Sequence, residues 1–380
     1  MSNLCMPSVT VDVFCKIVEM QMNEGNMRPI FGLGKGGIGK TESLSHLAKD
    51  KLKVGYIDIR LLLYSETDLK GIPYPNENNT KTVWLQNNIL PTVEKDGEKG
   101  ILVLDEITSS ARSVRTAAYQ LLNERRLGEY KMPDGWLIVC LGNGEEDGGD
   151  YQGMEGNFAN RCSVYNVVAD VESWKVWAFE NGVNSLVTSY VSFKPSDLHT
   201  FNPDEEEGDI LFASPRSWKA VSDVLNANEN GTNNLENDRI LQYRILANVG
   251  QKVGRQFLSF CKYNDETVDP NEILLNGAMP KIDTQEIVFI TIQNVIKIVG
   301  EAIKKDMADL QGAVQQNTIQ MLANGLRWIL SLRKEYAVMG FKDLISYEPA
   351  TIRRLVLNPQ LRQACPELMQ FAVENQAIFN

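Results

Sequence analysis

Histidine is nearly absent from this chain of 380 residues, which contains only His46 and His199. This scarcity excludes serine-type catalytic triads and histidine-rich metal sites, because both depend on imidazole side chains. Any chemistry must therefore use carboxylates, lysine, arginine, amides and a bound metal ion. Six cysteines are present but none forms a CxxC pair, so we expect free thiols in a reducing compartment and no zinc site.

Basic residues are also in deficit, with 38 lysines and arginines against 49 acids and a formal net charge of −11. Nucleic acids and acidic membranes are bound by clustered cations, so this balance argues against both partners while leaving room for a local basic loop. No stretch approaches 18 uncharged apolar residues, and no cationic segment precedes an apolar run at the N-terminus. We therefore expect a cytoplasmic protein without a membrane span.

From Pro29 onward, short apolar runs alternate with amphipathic helices. The runs lack polar–apolar alternation, which is typical of parallel strands covered on both faces. A helix is predicted to open at Gly39, and a second helix is predicted over 109–126. The predicted strands span residues 29–33, 53–58, 100–104, 136–142 and 163–168.

After residue 170 the segments have helical periodicity, and one of them runs without a break from 240 to 262. Polar stretches at 202–209 and 226–238 are predicted loops. The chain therefore divides into four predicted parts. They are an N-terminal helix over 1–28, an α/β core over 29–170, a helical lid domain over 171–308 and a helical C-terminal extension over 309–380.

A glycine-rich phosphate-binding motif follows the first predicted strand. Residues 34–41, GKGGIGKT, satisfy GxxxxGK[ST] between a strand and a helix, which is the context that the motif requires. Glycines let successive backbone N–H groups point at a phosphate, and the helix N-terminus adds its dipole. Lys40 would reach the β- and γ-oxygens, and the Thr41 hydroxyl would join the Mg²⁺ shell. The predicted nucleotide-binding residues are Gly34, Lys35, Gly36, Gly37, Ile38, Gly39, Lys40, Thr41 and Glu42.

An acidic pair ends the third predicted strand, in the sequence GILVLDE over residues 100–106. Asp105 would hold Mg²⁺ through water, and Glu106 would accept a proton from the attacking water, so this pair indicates hydrolysis as well as binding. The alternative is that these acids cap the following helix, since acids favour helix N-termini. No NKxD-type guanine-reading loop is evident, which favours ATP over GTP.

With both motifs placed, the chain resembles an AAA+ ATPase, most closely the MoxR-like branch, over roughly residues 28–300. The resemblance implies an α/β P-loop three-layer sandwich with a parallel sheet, followed by an all-α lid and a helical C-terminal extension. It also implies Mg²⁺-dependent ATP hydrolysis by a homo-oligomeric ring, a hexamer, that remodels or assembles a protein partner. In that branch the partner often carries a von Willebrand factor A domain. Two alternatives stay open, namely a nucleic-acid-dependent or defence-type NTPase motor and a nucleotide-gated scaffold with slow turnover.

The resemblance also assigns a trans-acting arginine finger. Arg161, in NFANRCSVY, matches the arginine that such proteins insert into the neighbouring subunit's site, where its forked donors contact phosphoryl oxygens. The MoxR-like branch often has DRF at this point, whereas this chain has NRC. A surface ion pair is the alternative role for Arg161. Arg125 and Arg126 are competing candidates, for which we expect solvated positions on a helix surface.

Two sensor residues follow from the same resemblance. Asn143, at the end of WLIVCLGN, matches sensor 1, whose carboxamide orients the attacking water; a turn residue in NGEEDGG is the alternative. Arg216 matches sensor 2 in the lid and would face the γ-phosphate. Ser214 is predicted as the N-cap of its helix and Pro215 as the first helical residue.

A further segment resembles an insertion found in that branch. Asp58-Ile-Arg60 followed by DLKGIPYP at 68–75 matches the region where an inserted hairpin interrupts the second helix and can project toward a substrate. An ordinary long loop is the alternative.

Overall fold

The chain forms two compact units, which we call the sheet unit and the helical unit. The sheet unit comprises Met1–Asp170 and Phe201–Gly208, and the helical unit comprises Val171–Thr200 and Asp209–Asn380. The computed structural model describes residues 6–85, 88–144, 160–202, 211–228, 235, 237–309 and 312–376.

Ten strands occur in the described part of the sheet unit. They are β1 (Ser8–Thr10), β2 (Ile30–Leu33), β3 (Gly55–Arg60), β4 (Ile72–Pro75), β5 (Thr82–Leu85), β6 (Lys99–Asp105), β7 (Arg126–Leu127), β8 (Tyr130–Lys131), β9 (Gly135–Gly142) and β10 (Ser163–Val168). Six of them form one parallel sheet in the order β1-β10-β2-β9-β6-β3. The five predicted strands correspond to β2, β3, β6, β9 and β10, so their existence is confirmed.

The sixth sheet strand, β1, corrects the prediction for the N-terminal segment. The sequence predicts only a helix before Pro29, but Ser8–Thr10 first pairs with Asn166–Val168 of β10. The helix α1 (Val11–Asn23) follows directly, and the Thr10 side chain caps it by accepting a hydrogen bond from the Val13 amide. The N-terminal segment therefore extends the sheet as well as covering it.

Helices cover both faces of the sheet, because successive strand residues point to opposite sides. In β9, Leu137, Val139 and Leu141 belong to the core under α1 and the next helix, α2 (Lys40–His46). Trp136, Ile138 and Cys140 belong instead to the core under a later helix, α5 (Arg112–Glu124). The sheet unit is therefore the three-layer α/β sandwich that the sequence predicts. The short helices α3 (Glu66–Lys70) and α4 (Val93–Asp96) complete it.

Two antiparallel hairpins lie outside the six-stranded sheet. β4 pairs with β5, with Ile72 opposite Leu85, and this confirms the predicted hairpin over the long-loop alternative. β7 pairs with β8 directly after α5. Whether the β4–β5 hairpin contacts a substrate stays a prediction.

The described part of the helical unit contains only helices and connecting segments. They are α6 (Val171–Glu180), α7 (Ser185–Phe193), α8 (Pro215–Asn226), α9 (Arg239–Val249), α10 (Gln251–Cys261), α11 (Pro270–Leu274), α12 (Gln285–Asp309), α13 (Gln316–Ser331), α14 (Lys334–Tyr347), α15 (Pro349–Val356), α16 (Pro359–Ala364) and α17 (Glu367–Glu374). One apolar core runs through α12 to α17 and includes Trp328 and Phe341. The predicted helical character after residue 170 is confirmed.

The unbroken helix predicted over 240–262 is wrong in one respect. Gly250 has φ +80°, a conformation that interrupts the α-helix, and it separates α9 from α10. A Cβ at this position would lie 2.6 Å from the carbonyl oxygen of Leu211. The predicted polar loops at 202–209 and 226–238 lie mostly outside the described residues. Within the described ranges, no helix is both long enough and apolar enough to cross a bilayer.

Candidate nucleotide-binding site

The glycine loop leaves the carboxyl end of β2 and leads into α2. The Gly34 amide donates a hydrogen bond to the Gly142 carbonyl over 3.1 Å, which ties the loop to the end of β9. A Cβ on Gly34 would lie 2.1 Å from the carbonyl oxygen of Val167, so no side chain fits there. Gly37 and Gly39 have φ values of +78° and +92°, which only glycine adopts readily. The curled backbone that the motif predicts is present.

Lys40 is the first residue of α2 and is buried, with 8% of its surface exposed. Its ammonium group donates to the Gly34 carbonyl over 2.5 Å and to the Lys35 carbonyl over 2.9 Å. The lysine therefore points back into the loop that precedes it. An anion inside this loop would meet the ammonium group together with the first backbone amides of the helix.

Thr41 and Asp105 meet, although 64 positions separate them in the sequence. The Thr41 hydroxyl donates to Asp105 Oδ2 over 2.7 Å, and the Glu106 amide donates to Asp105 Oδ1 over 2.8 Å. Mg²⁺ prefers oxygen ligands, so the Thr41 hydroxyl and, through water, the Asp105 carboxylate could hold this ion. The described residues contain no group of three or more His, Cys, Asp or Glu side chains that could hold a metal.

Glu106 has an unusual backbone conformation. Its φ is +56°, in the left-handed region that non-glycine residues rarely occupy, and such strain often accompanies functional positions. It begins a 3₁₀ turn, Ile107–Ser109, but its side chain makes no capping hydrogen bond there. The N-cap of α5 is Ala111, so neither acid caps that helix. The helix-cap alternative is therefore wrong for this pair.

Asn143 lies one residue beyond β9, at the same edge of the sheet. The backbone amide of Asn143 donates a hydrogen bond to the Thr108 hydroxyl over 3.2 Å. A Cβ on Gly142 would lie 2.7 Å from the Thr108 side chain. The turn after β6 and the end of β9 are therefore fastened together. Asn143 thus stands beside the chain that carries Asp105, as the sensor-1 position requires, while its role as a sensor stays a prediction. The residues 145–149 of its predicted turn lie outside the described residues.

Arg161 lies away from this cluster. It is exposed and precedes β10, whose first residue, Ser163, pairs with Ile30 at the start of β2. Arg161 is therefore at the amino edge of the sheet, whereas the glycine loop and Asp105 follow the carboxyl ends of their strands. The structure places no ion pair on Arg161 among the described residues, and its role in trans stays a prediction.

The competing arginines differ from each other. Arg125 was expected to be solvated on a helix surface, and this is wrong. Its guanidinium donates to the carbonyls of Pro133 and Trp136, each over 2.7 Å, and burial lowers its pKa. Arg125 therefore holds the segment that leads into β9. Arg126 is exposed as expected, but it lies in the strand β7 and not on a helix.

Arg216 belongs to the helical unit, at the second position of α8, and is exposed. The Ser214 hydroxyl accepts a hydrogen bond from the Ser217 amide over 3.2 Å, and Pro215 is the first helical residue. Both cap predictions are therefore confirmed. The contact of Arg216 with a γ-phosphate stays a prediction.

Two residues of β3 adjoin the site without having been assigned a role from the sequence. The Tyr56 hydroxyl donates to the Thr41 carbonyl over 3.1 Å. Partial burial and the Asp105 carboxylate raise the pKa of Asp58, while Arg60 opposes the shift. The signal that could have found them is the alternation in YIDIR, which puts Tyr56, Asp58 and Arg60 on one face, with Arg60 opposite Asp105 in the ladder.

No protein-family model matches the sequence, and no curated protein matches it. Solved structures are similar in fold at a distance. The closed state of Hsp104 with ATPγS and FITC-casein matches at 15% identity and a TM-score of 0.37, over 66% of this chain and 46% of that chain. A candidate ATPase from Cytophaga hutchinsonii matches at 12% identity and a TM-score of 0.32, over 82% of this chain and 79% of that chain. The RuvB Holliday junction branch migration motor of Thermotoga maritima matches at 10% identity and a TM-score of 0.30, over 80% of this chain and 76% of that chain.

These likenesses are distant, with at most 15% identity and a TM-score of at most 0.37 among the three structures. The chain spans less than half of the Hsp104 chain.

Proposed function

We propose that this protein binds Mg²⁺–ATP in the loop from Gly34 to Thr41 and hydrolyses it. The observation that carries the proposal is the 2.7 Å hydrogen bond between Thr41 and Asp105. It joins the end of the glycine loop to the acidic end of β6, so the phosphate-binding and metal-binding halves of the predicted site lie together. The positive φ values of Gly37 and Gly39 support the same reading, because they allow the loop to curl.

Each residue of the cluster then has a role in the reaction. Lys40 and the loop amides neutralise the phosphate oxygens, and Thr41 and Asp105 hold the metal ion. A bound Mg²⁺ would draw charge from the β- and γ-oxygens. Glu106 accepts the proton of the attacking water, which Asn143 orients.

Hydrolysis is tested by replacing Glu106 with Gln, which keeps the shape of the side chain and removes its basicity. We expect Mg²⁺-dependent ATPase activity in the wild type, and a loss of about 100-fold or more in kcat with ATP binding retained in Glu106→Gln. The matched control is Glu129→Gln, which alters an exposed acid between β7 and β8 of the same unit. Absence of activity in the wild type, or equal activity in the two variants, would refute the proposal.

Ring assembly is the finer part of the proposal, with Arg161 acting on the neighbouring subunit's nucleotide. Its exposure and its place at the amino edge of the sheet support a role outside its own site. Lys40→Met and Arg161→Ala should each be inactive alone. Mixing them should restore activity, because a Lys40→Met subunit can donate its intact Arg161 to an Arg161→Ala neighbour.

The control for this mixing experiment is Arg126→Ala, which alters the exposed competitor. It should hydrolyse ATP at the wild-type rate without a partner. An Arg161→Ala variant that is fully active alone would contradict the assignment, and loss of activity in Arg126→Ala would transfer the role to Arg126.

In this proposal, ATP hydrolysis drives the remodelling of a protein partner, as in the MoxR-like branch. The protein would act as a cytoplasmic hexamer, and the partner would carry a von Willebrand factor A domain. The Glu106→Gln form with ATP should retain that partner, which can be identified by mass spectrometry. Salt-sensitive stimulation of the ATPase by DNA or RNA would favour a nucleic-acid motor instead. A nucleotide-gated scaffold would still assemble with ATP in the Glu106→Gln form, normally or better.

A further inference from the structure

Tyr56 lies against the first turn of the P-loop helix. Its hydroxyl donates to the backbone carbonyl of Thr41 over 3.1 Å. Its ring is half-buried among the residues that pack between the sheet and α2. The ammonium group of Lys49 lies 5.1 Å from the centre of the ring.

The same strand pair carries both contacts of Thr41. In the β3–β6 ladder Tyr56 pairs with Ile101 and Arg60 pairs with Asp105. Tyr56 holds the Thr41 carbonyl, and Asp105 accepts from the Thr41 hydroxyl. Thr41 is therefore fixed at its backbone and at its side chain by two neighbouring strands.

Lys49 reaches the Tyr56 ring from a π-helical segment, Leu47–Leu52, which continues α2. A π-helix is wider than an α-helix, and such segments are frequent at functional sites. Here the segment returns the chain over β3, where Lys49 covers the ring. Lys49 thus contacts the Tyr56 ring, while the Tyr56 hydroxyl holds the Thr41 carbonyl.

We propose that Tyr56 is a positioning residue for the metal-bound nucleotide, acting through Thr41. The hydroxyl fixes the first turn of α2 so that the Thr41 side chain points at Asp105. This inference rests on the proposed Mg²⁺–ATP site and adds a residue that no phosphate-binding motif contains. Tyr56 itself contacts neither the metal nor the phosphates in this account.

The Tyr56→Phe variant removes the hydroxyl and keeps the ring. The probe is an N-methylanthraniloyl derivative of ATP, whose fluorescence reports binding without turnover. With Mg²⁺ present, we expect the dissociation constant to rise about five-fold, the effect of losing one hydrogen bond. With EDTA in place of Mg²⁺ it should stay within two-fold of the wild type, because Thr41 acts through the metal.

Tyr130→Phe is the matched control. Its hydroxyl also donates to a backbone carbonyl, that of Pro91 over 2.7 Å, but its ring packs in the core on the other face of the sheet. We expect no change in either dissociation constant for this variant. A double-mutant cycle adds a second check, since Tyr56→Phe should have no further effect on Mg²⁺-dependent binding in a Thr41→Ala background.

A second variant, Lys49→Met, removes the cation over the ring and leaves the hydroxyl in place. It should weaken Mg²⁺-dependent binding in the same direction, by about two-fold. Equal shifts with and without Mg²⁺, or a Tyr56→Phe variant that matches Tyr130→Phe, would overturn the inference. A wild type that binds no nucleotide would refute the proposed function itself, which is a separate result.

Discussion

At the scale of single residues, the glycines of the loop are not equivalent. Gly34 is enclosed, because a Cβ would lie 2.1 Å from the Val167 carbonyl oxygen, whereas a Cβ on Gly36 would meet no atom within 4 Å. Gly36 also lacks the positive φ of Gly37 and Gly39. The motif GxxxxGK[ST] requires glycine at position 34 and leaves position 36 open, and the packing of Gly34 against β10 gives the physical reason.

The two positions therefore give a matched pair of substitutions. Gly34→Ala must displace backbone and is expected to lower the free energy of unfolding by about 2–3 kcal/mol. Gly36→Ala should change it by less than about 0.5 kcal/mol. Chemical denaturation of both variants measures the difference, and similar values for the two would contradict the described packing.

At the scale of elements, the strands of the sheet could be predicted where they are continuous apolar runs. β9 lies within one residue of its predicted bounds, because this covered strand has no polar interruption. β10 matches its predicted bounds although it contains Asn166 and is mostly half-buried. β3 was predicted over 53–58 but spans Gly55–Arg60. The carboxyl end of β3 carries the charged residues Asp58 and Arg60, with Arg60 opposite Asp105, so the apolar pattern on which the prediction relied stops before the strand does.

β1 could not be predicted for a different reason. Its three residues, Ser8–Thr10, form no apolar run, and what makes them a strand is the tertiary ladder to β10. Tyr56 belongs to the same class of omission. Its hydrogen bond to Thr41 joins two elements, and no local motif records it.

A buried ion pair connects α6 to α14 within the helical unit. Lys175 donates to Asp343 over 2.5 Å, and both side chains are almost fully buried. Gln293 of α12 donates to the other carboxylate oxygen of Asp343. Within the helical unit, α6, α12 and α14 are therefore joined by polar as well as apolar contacts.

Removing one partner of this pair should be costly. Lys175→Met leaves the Asp343 charge buried without its cation and is expected to lower the free energy of unfolding by about 3–5 kcal/mol. The double variant Lys175→Met/Asp343→Leu should recover most of that loss. Lys219→Met is the control, since it breaks a more exposed pair with Asp223 and should cost less than about 1 kcal/mol.

Equal losses in Lys175→Met and Lys219→Met would show that the Lys175–Asp343 pair is not buried as described. Urea denaturation followed by circular dichroism measures all three variants, because the helical unit dominates the signal.

At the scale of the whole molecule, the sequence predicts the glycine loop and the acidic pair better than it predicts the arginines that would complete the site. The glycine loop and the acidic pair are local motifs at the carboxyl ends of β2 and β6, two parallel strands of one sheet with β9 between them, so their meeting could be foreseen from the fold class. The role predicted for Arg161 would depend on a neighbouring subunit, and the role predicted for Arg216 would depend on the helical unit. Those arrangements are set by surfaces, which leave no fixed spacing in one chain.

The central claim is that the loop from Gly34 to Thr41 binds Mg²⁺–ATP, and isothermal titration calorimetry tests it most directly. The wild type should bind ATP in the presence of Mg²⁺, and the stoichiometry should not exceed one ATP per chain. Binding should be lost in Lys40→Met, while Lys131→Met, which alters an exposed lysine of β8 outside the loop, should retain it. Absence of binding by the wild type, or undiminished binding by Lys40→Met, would contradict the account.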